Sequence, residues 1–261
     1  MGRLDDDNGD NWSVGFYNRQ LSLNGSAGSV GSTLVRTLRD GAKQSFGWDA
    51  SLGLYTSTEG GGAYERVSYD SAAAQFVWHS SANDQMETYD AGAGQLLQAD
   101  DLHGNSQRFT YANGLLISVA NKSVGDSEYR VNTEYSYNAK QLAQVQTRQE
   151  DGSLRTRVRY DYDSSGRLWH VSVDLSPEDG STADGFVYVT TYSYDGASQR
   201  VSNVTQSDGS SLTFVYVKVG VDYRVQSVKD GLGNKTSFDY SQAGKTCTPA
   251  SSRRRTKART T

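Results

Sequence analysis

Residues 158–171 read Val-Arg-Tyr-Asp-Tyr-Asp-Ser-Ser-Gly-Arg-Leu-Trp-His-Val. Tyr160 and Tyr162 alternate with charged residues, so they fall on one face of a predicted β-strand. Asp163 can accept backbone N–H bonds two residues further on, which opens a turn, and Gly166 can close that turn with a positive φ. The apolar residues that follow begin a return strand. The stretch therefore predicts a β-hairpin.

The start of this hairpin turn recurs along the chain. An aromatic residue, usually followed by Asp or another short side chain, returns at intervals of 20–32 residues, at Trp48, Tyr69, Tyr89, Tyr111, Tyr137, Tyr162, Tyr194, Tyr216 and Tyr240. Such irregular spacing favours hairpins with loops of variable length over a helical solenoid. The positions interpreted as structural motif residues are Trp48, Asp49, Tyr69, Asp70, Tyr89, Asp90, Tyr160, Tyr162, Asp163, Gly166, Arg167, Leu168, Tyr194 and Asp195. Outer turns such as Asp151-Gly152 separate the copies, so the sequence predicts antiparallel β-hairpin repeats.

The composition agrees with an all-β chain. There are 17 Tyr and 4 Trp, while hydrophobic residues reach only 35%. Aromatic side chains suit a pleated strand, where a ring packs on its neighbour and a hydroxyl reaches water. The chain has 27 Gly and only 2 Pro, so it turns often without proline. No stretch combines helical periodicity with caps, and 261 residues suit one large all-β domain or two ordinary ones.

The charge is divided unevenly along the chain. The net charge is −4, but residues 249–261 hold five basic residues and no acid, which leaves 21 basic and 30 acidic residues elsewhere, a net −9. An acidic body argues against nucleic acid as the main partner. No apolar run reaches 18 residues, so the sequence predicts no membrane-spanning helix.

The motif at residues 158–171 resembles the YD repeat, also called the Rhs repeat. The shared order is aromatic-x-Tyr-Asp, two residues, Gly-Arg-Leu, two residues and Val, with Asp-Gly turns between copies. Residues 9–21 and 33–46 are similar to the segment that introduces such repeats. This resemblance divides the chain into four parts: a disordered N-terminus at 1–8, a lead-in segment at 9–39, the repeats at 40–245 and a disordered basic tail at 246–261.

The resemblance also implies an architecture and a role. The family includes bacterial Rhs toxins, the C component of insecticidal toxin complexes and the teneurins, in which a β-ribbon coils into a hollow cocoon. That shell encloses or displays a C-terminal toxin or effector, which would be the partner here. This chain is expected to form a partial shell within a longer parent protein, bacterial and secreted or at the cell surface. It would be a structural segment and not an enzyme.

The alternative is a carbohydrate-binding module at a cell surface. Exposed aromatic rings on a sheet can stack on sugar rings, and Trp78 and Trp169 are the candidates for this contact. Aromatic cross-strand pairs that hold a thin ribbon together also explain these residues.

Catalytic and metal chemistry find little support in the sequence. The three histidines, His79, His103 and His170, do not have metal-ligand spacing, and Cys247 has no convincing base partner. Residues 161–166 start like a calcium loop, but the acid expected at the twelfth position is missing. We therefore predict no catalytic residue, no bound metal and no cofactor.

Overall fold

The computed structural model describes residues 19–38, 41–57, 64–80, 82–176, 179 and 181–240. These residues form 19 strands whose pairings are all antiparallel, and no helix occurs among them. The predicted all-β fold of antiparallel hairpins is therefore confirmed. Within the described ranges, no helix could cross a membrane. The predicted disordered segments at 1–8 and 246–261, and the lead-in up to residue 18, lie outside the described residues.

The chain divides into two compact units, residues 1–155 and 156–261. The first contains β1 (Gln20–Asn24), β2 (Thr33–Thr37), β3 (Lys43–Asp49), β4 (Leu54–Ser57), β5 (Arg66–Asp70), β6 (Gln75–His79), β7 (Met86–Asp90), β8 (Leu96–Asp100), β9 (Ser106–Ala112), β10 (Leu115–Lys122), β11 (Arg130–Asn138) and β12 (Gln141–Arg148). The second contains most of β13 (Leu154–Tyr162), then β14 (Leu168–Asp174), β15 (Val187–Tyr194), β16 (Val201–Gln206), β17 (Ser211–Val219), β18 (Asp222–Asp230) and β19 (Lys235–Ser237). Within each unit, consecutive strands pair in sequence order.

The first unit encloses a hydrophobic core. Alternation along β2–β8 turns the side chains of one face inward, and the largest fully buried ones are Leu34, Phe46, Tyr55, Val67, Phe76, Tyr89 and Leu96. The ribbon bends so far that the outer edge of β1 meets the turn before β8. The Leu21 amide donates a 2.9 Å hydrogen bond to the Gly94 carbonyl, and Gln20 bridges to Gln95. We call this contact the clasp.

The second unit is a sheet with two different faces. Its apolar face carries Val158, Tyr160, Val171, Val173, Tyr188, Tyr192, Val204, Leu212, Phe214 and Val228, together with the polar residues Thr190, Gln206 and Asp230. Its polar face carries Arg159, Asp161, His170, Ser172, Thr191, Thr205, Thr213 and Lys229, together with the apolar residues Val189 and Val215. Among the described residues of this unit, only Leu168 and Ser227 are buried. Contacts other than a closed core must therefore hold its hairpins together.

Candidate functional site

The turn of the fullest motif copy is built around one carboxylate. Asp163 accepts the amides of Ser165 at 2.8 Å and Arg167 at 2.9 Å on one oxygen, and Nε of Arg167 at 2.8 Å on the other. Gly166 completes the turn with a φ of +74°. Burial alone would raise the pKa of Asp163, but the hydrogen bonds from Arg167 and Ser165 outweigh burial and hold the pKa below its ordinary value. This carboxylate is fully engaged in shaping the turn.

The other motif aspartates occupy equivalent turn positions. Asp49, Asp70 and Asp90 each accept the amide two residues further on, at 2.9–3.0 Å. Asp195 instead accepts Nη2 of Arg200 at 2.8 Å. Aspartate suits all four positions because its short carboxylate can bond to nearby turn groups.

Motif tyrosines connect one hairpin to the hairpin before it. Each hydroxyl donates to the backbone carbonyl of the apolar residue that pairs with the previous copy's motif tyrosine. The bonds run from Tyr137 to Leu116 (2.8 Å), Tyr194 to Leu168 (2.6 Å), Tyr216 to Val201 (2.7 Å) and Tyr240 to Val225 (2.7 Å). We call these bonds the Tyr-carbonyl links. They join neighbouring hairpins through the polar end of an otherwise apolar side chain.

An arginine accompanies three of these links. It directly precedes the accepting residue, and its guanidinium lies over the ring of the incoming tyrosine: Arg167 over Tyr194 (4.5 Å to the centroid), Arg200 over Tyr216 (5.7 Å) and Arg224 over Tyr240 (5.3 Å). Arg167 also donates through Nη1 to the carbonyls of Gly196 and Ser198 in the next turn, both at 2.9 Å. Asp163 and Arg167 therefore shape their own turn, and Arg167 also binds the next hairpin.

A register shift accompanies the motif tyrosine in most hairpins. The shift lies directly before Tyr89, Tyr137, Tyr162, Tyr194 and Tyr216. It leaves one extra residue on the return strand, as in a β-bulge, which bends the strand and increases its twist. In the pair β13–β14 the extra residue is Trp169, because Asp161 pairs with His170 whereas Tyr162 pairs with Leu168.

The two tryptophans predicted for sugar stacking differ in exposure. Trp169 is 48% exposed and stacks on His170 at 3.7 Å between ring centroids. Trp78 is 4% exposed, its ring is covered by the Arg36 guanidinium at 3.6 Å, and its Nε1 donates to Glu65 at 3.0 Å. Trp78 therefore does not present a ring to a ligand from solvent.

Three further motif aromatics, Trp48, Tyr69 and Tyr160, are half-buried. Trp48 meets Tyr55 edge-on at 5.0 Å, and Tyr69 lies against Phe76 at the same distance. Tyr160, on the apolar face of the second unit, has its pKa raised by burial and by the neighbouring Tyr192. These positions contribute packing area to the sheet.

A buried charge cluster in the first unit was missed by sequence reasoning. Glu87 accepts Nη2 of Arg36 at 2.6 Å and Nη1 of Arg19 at 2.7 Å, and Tyr89 donates to the same carboxylate. Burial, then the Glu87 charge, raises the pKa of Tyr89. Arg36 also donates to Gln44 at 2.8 Å, so the cluster ties β2 to both β3 and β7. Tyr89 is a motif tyrosine, but Glu87 lies 51 residues from Arg36 and 68 residues from Arg19, so no local pattern indicates these contacts.

This cluster forms one wall of a cleft of about 880 Å³ in the first unit. Arg19, Arg36 and Lys122 line the cleft together with Glu87 and Asp100. The mixture of both charges favours no single class of ionic ligand. Among the residues the structure describes, no group of three or more His, Cys, Asp and Glu side chains is arranged to hold a metal ion.

Among the comparisons with known proteins, only the comparison with solved structures gives matches. No family model matches the sequence, and no curated protein matches it. The chain is similar to chains in the crystal structures of TcdB2-TccC3-Cdc42 and TcdB2-TccC3, each at 12% identity and a TM-score of 0.38, over 80% and 85% of this chain. It spans only 13% and 15% of those chains. A porin-like protein from Bacteroides uniformis ATCC 8492 is similar at 11% identity and a TM-score of 0.36, over 88% of this chain and 92% of that one.

Proposed function

We propose that this chain is a non-catalytic segment of a YD/Rhs-type shell wall, which encloses or displays the C-terminal toxin or effector of a longer parent protein. The observation that carries the proposal is the apolar face of the second unit. Val173 and Leu212 on that face are 38% and 43% exposed. A sheet that is apolar on one face gains most of its stability by covering that face, as the interior of a shell would.

The chemistry of the motif supports a structural role. The carboxylate of Asp163 is occupied by two amides and Arg167, and the hydroxyl of Tyr194 by the carbonyl of Leu168. A general acid or a nucleophile needs reach to a substrate atom, whereas these groups already bind the chain itself. The motif residues are therefore scaffold positions in this proposal.

Solution behaviour tests the proposal. We expect the isolated chain to self-associate or to be poorly soluble, because the apolar face and the sheet edge would be in water. Replacing Val173 and Leu212 by Lys on the apolar face should shift the chain toward a monomer in sedimentation velocity. Replacing Ser172 and Thr213 by Lys on the polar face is the matched control and should change little. A sharply monomeric wild-type chain with one cooperative melting transition would contradict the proposal.

The second candidate function is glycan binding through Trp169. The half-exposed ring, stacked on His170 beside Asp161 and Thr191, combines a stacking surface with hydrogen-bonding groups. Glycan-array binding that Trp169→Ala abolishes would favour this function. Tyr64→Ala, at an aromatic residue that is 82% exposed, is the control.

A further inference from the structure

The cleft of the first unit contains both charges, but its acidic groups are already occupied. Each acidic residue that lines it accepts hydrogen bonds from the protein itself. The donors are Arg19, Arg36 and Tyr89 to Glu87, Gln98 and Ser106 to Asp100, and His103 and Asn105 to Asp101. A carboxylate whose lone pairs are filled in this way has little capacity left for a ligand.

Arg36, in contrast, keeps hydrogen-bonding capacity in reserve. Its side chain is 5% exposed and lines the cleft. Nε and Nη2 donate to Glu87, and Nη1 donates to Gln44 at 2.8 Å. Each Nη carries two N–H groups, so one on Nη1 and one on Nη2 find no acceptor among the described residues. An anion satisfies such donors well, because charge-assisted hydrogen bonds are about twice as strong as neutral ones.

Four cleft residues form a row across neighbouring strands. The pairs are Glu87 with Ala99, Ala99 with Gln107, and Gln107 with Asn121, on β7 to β10. Directly paired residues project from the same face of a sheet. Neighbouring strands lie about 4.8 Å apart, which places the backbones of Glu87 and Gln107 about 10 Å from each other. Only the methyl group of Ala99 stands between them in the row, so the row has a gap.

The far side of this gap carries uncharged polar groups. Nε2 of Gln107 donates to Oδ1 of Asn121 at 3.2 Å. In the part of the chain that the structure describes, Oε1 of Gln107 and Nδ2 of Asn121 have no partner. This side therefore offers one acceptor and one donor, whereas the Arg36 side offers donors.

We propose that this cleft binds a small hydroxylated carboxylate, such as a sugar acid, in the gap above Ala99. The carboxylate matches the planar guanidinium of Arg36, and hydroxyl groups can serve both the acceptor on Gln107 and the donor on Asn121. The acidic residues of the cleft would repel a doubly charged phosphate more than a singly charged carboxylate. A ligand of this size should bind with a dissociation constant on the order of 10⁻³ M. The site does not depend on the proposed shell function.

Saturation-transfer difference NMR of the full chain with D-galacturonate tests the site. It detects weak ligands whether or not the chain self-associates, and circular dichroism establishes that the β-fold is present. D-galactose carries a hydroxymethyl group in place of the carboxylate, and acetate lacks the hydroxyl groups. We expect saturable binding of D-galacturonate, with affinities for D-galactose and for acetate at least about fivefold weaker.

Two variants locate the ligand. Ala99→Leu fills the gap without removing any partner of Arg36, and Gln107→Ala removes the amide opposite it. Each should weaken D-galacturonate binding by at least about fivefold. Ala112→Leu is the matched control, because Ala112 is an exposed alanine at the other end of β9, outside the cleft. Its affinity should equal that of the wild type.

The contrary outcomes are distinct. No saturable signal from D-galacturonate up to about 20 mM, in a chain with a β-sheet spectrum, would overturn the site. Equal affinity for D-galactose would remove the role of Arg36, and stronger displacement by inorganic phosphate would overturn the choice of a carboxylate. Unchanged affinity in Gln107→Ala would exclude this cleft, and it decides the matter even if Ala99→Leu loses the β-sheet spectrum.

Discussion

At Gly94 two segments of the first unit come so close that no larger residue fits. A Cβ at this position would lie 2.1 Å from the Leu21 carbonyl oxygen, which belongs to the clasp. Gly53 stands at the same place in another motif turn. The two residues have similar φ values, +69° and +64°, and each amide bonds to the carbonyl of the motif aspartate four residues earlier. Nothing lies within 4 Å of a Cβ at Gly53.

Alanine substitutions at Gly94 and Gly53 separate the cost of a strained backbone from the cost of disturbing the clasp. Alanine at either position should cost about 1–2 kcal/mol because of the positive φ. Gly94→Ala should cost roughly 2 kcal/mol more, since the backbone must move to relieve the overlap. Urea unfolding monitored by tyrosine and tryptophan fluorescence measures both losses. Equal destabilisation of the two variants would mean that the clasp does not contribute to stability.

A Tyr-carbonyl link can be removed with the loss of a single oxygen. Tyr216→Phe keeps the ring and its contact with Arg200 but loses the 2.7 Å bond to the Val201 carbonyl. We expect a loss of about 1 kcal/mol in unfolding free energy. Tyr223→Phe is the control, because Arg200 also covers the Tyr223 ring, at 3.9 Å, and the described residues offer its hydroxyl no hydrogen bond. Losses of the same size in both variants would argue against the link.

At the scale of the elements, the hairpins were predictable and the contacts between them were not. An aspartate that bonds two residues ahead and a glycine with positive φ act within six residues, so residues 158–171 contain the information for that turn. The partners of Tyr194 and Glu87 lie 26 and 51 residues away, at Leu168 and Arg36. Their pairing depends on how successive strands are bent, which no local pattern specifies. In the same way, the bonds from Arg167 to the next hairpin are seen only in the structure.

The lowered pKa values of the turn aspartates predict how the stability of the fold depends on pH. Hydrogen bonds from Ser153, Ser210 and Asn234 hold the pKa values of Asp151, Asp208 and Asp230 below their ordinary value. A carboxylate whose pKa is lowered in the folded state stabilises the fold at pH values above its ordinary pKa of 3.8. This stabilisation is lost as the pH falls through the lowered pKa. The melting temperature should therefore stay level near neutral pH and fall below about pH 4.

The acid response can be assigned by substitution. Changing Asp151, Asp208 and Asp230 together to Asn keeps an oxygen that accepts the turn amides but removes the titration. The fall in melting temperature between about pH 5 and pH 2 should become shallower in this variant. An unchanged pH profile would show that other carboxylates cause the loss of stability in acid.

At the scale of the whole molecule, the two units are stabilised in different ways. The first holds Phe46, Tyr55 and Tyr89 at 0% exposure, whereas in the second only Leu168 and Ser227 are buried among the described residues. Local opening is easier where few apolar contacts must break. Sequence reasoning predicted one continuous run of repeats and did not anticipate this difference, because the same motif occurs in both units.

Hydrogen exchange should report this difference directly. We expect the amides of β3, β5 and β6 to exchange at least about tenfold more slowly than those of β15 and β17, although all five strands are paired on both sides. Mass spectrometry of peptic fragments resolves the two sets. Slower exchange in the second unit would mean that the Tyr-carbonyl links stabilise the sheet more than burial does.

The Tyr-carbonyl links have a consequence for how such a gene can change. Tyr194 donates to Leu168 in the hairpin before it, and Tyr216 donates to Val201 in the hairpin before it. Unequal recombination between the same motif position in two successive repeats would remove or add one complete hairpin. The hairpins that become neighbours would still match a tyrosine hydroxyl with a backbone carbonyl. The number of hairpins in the sheet can then vary by whole units over evolutionary time, while insertions accumulate in the outer connections without disturbing either neighbour.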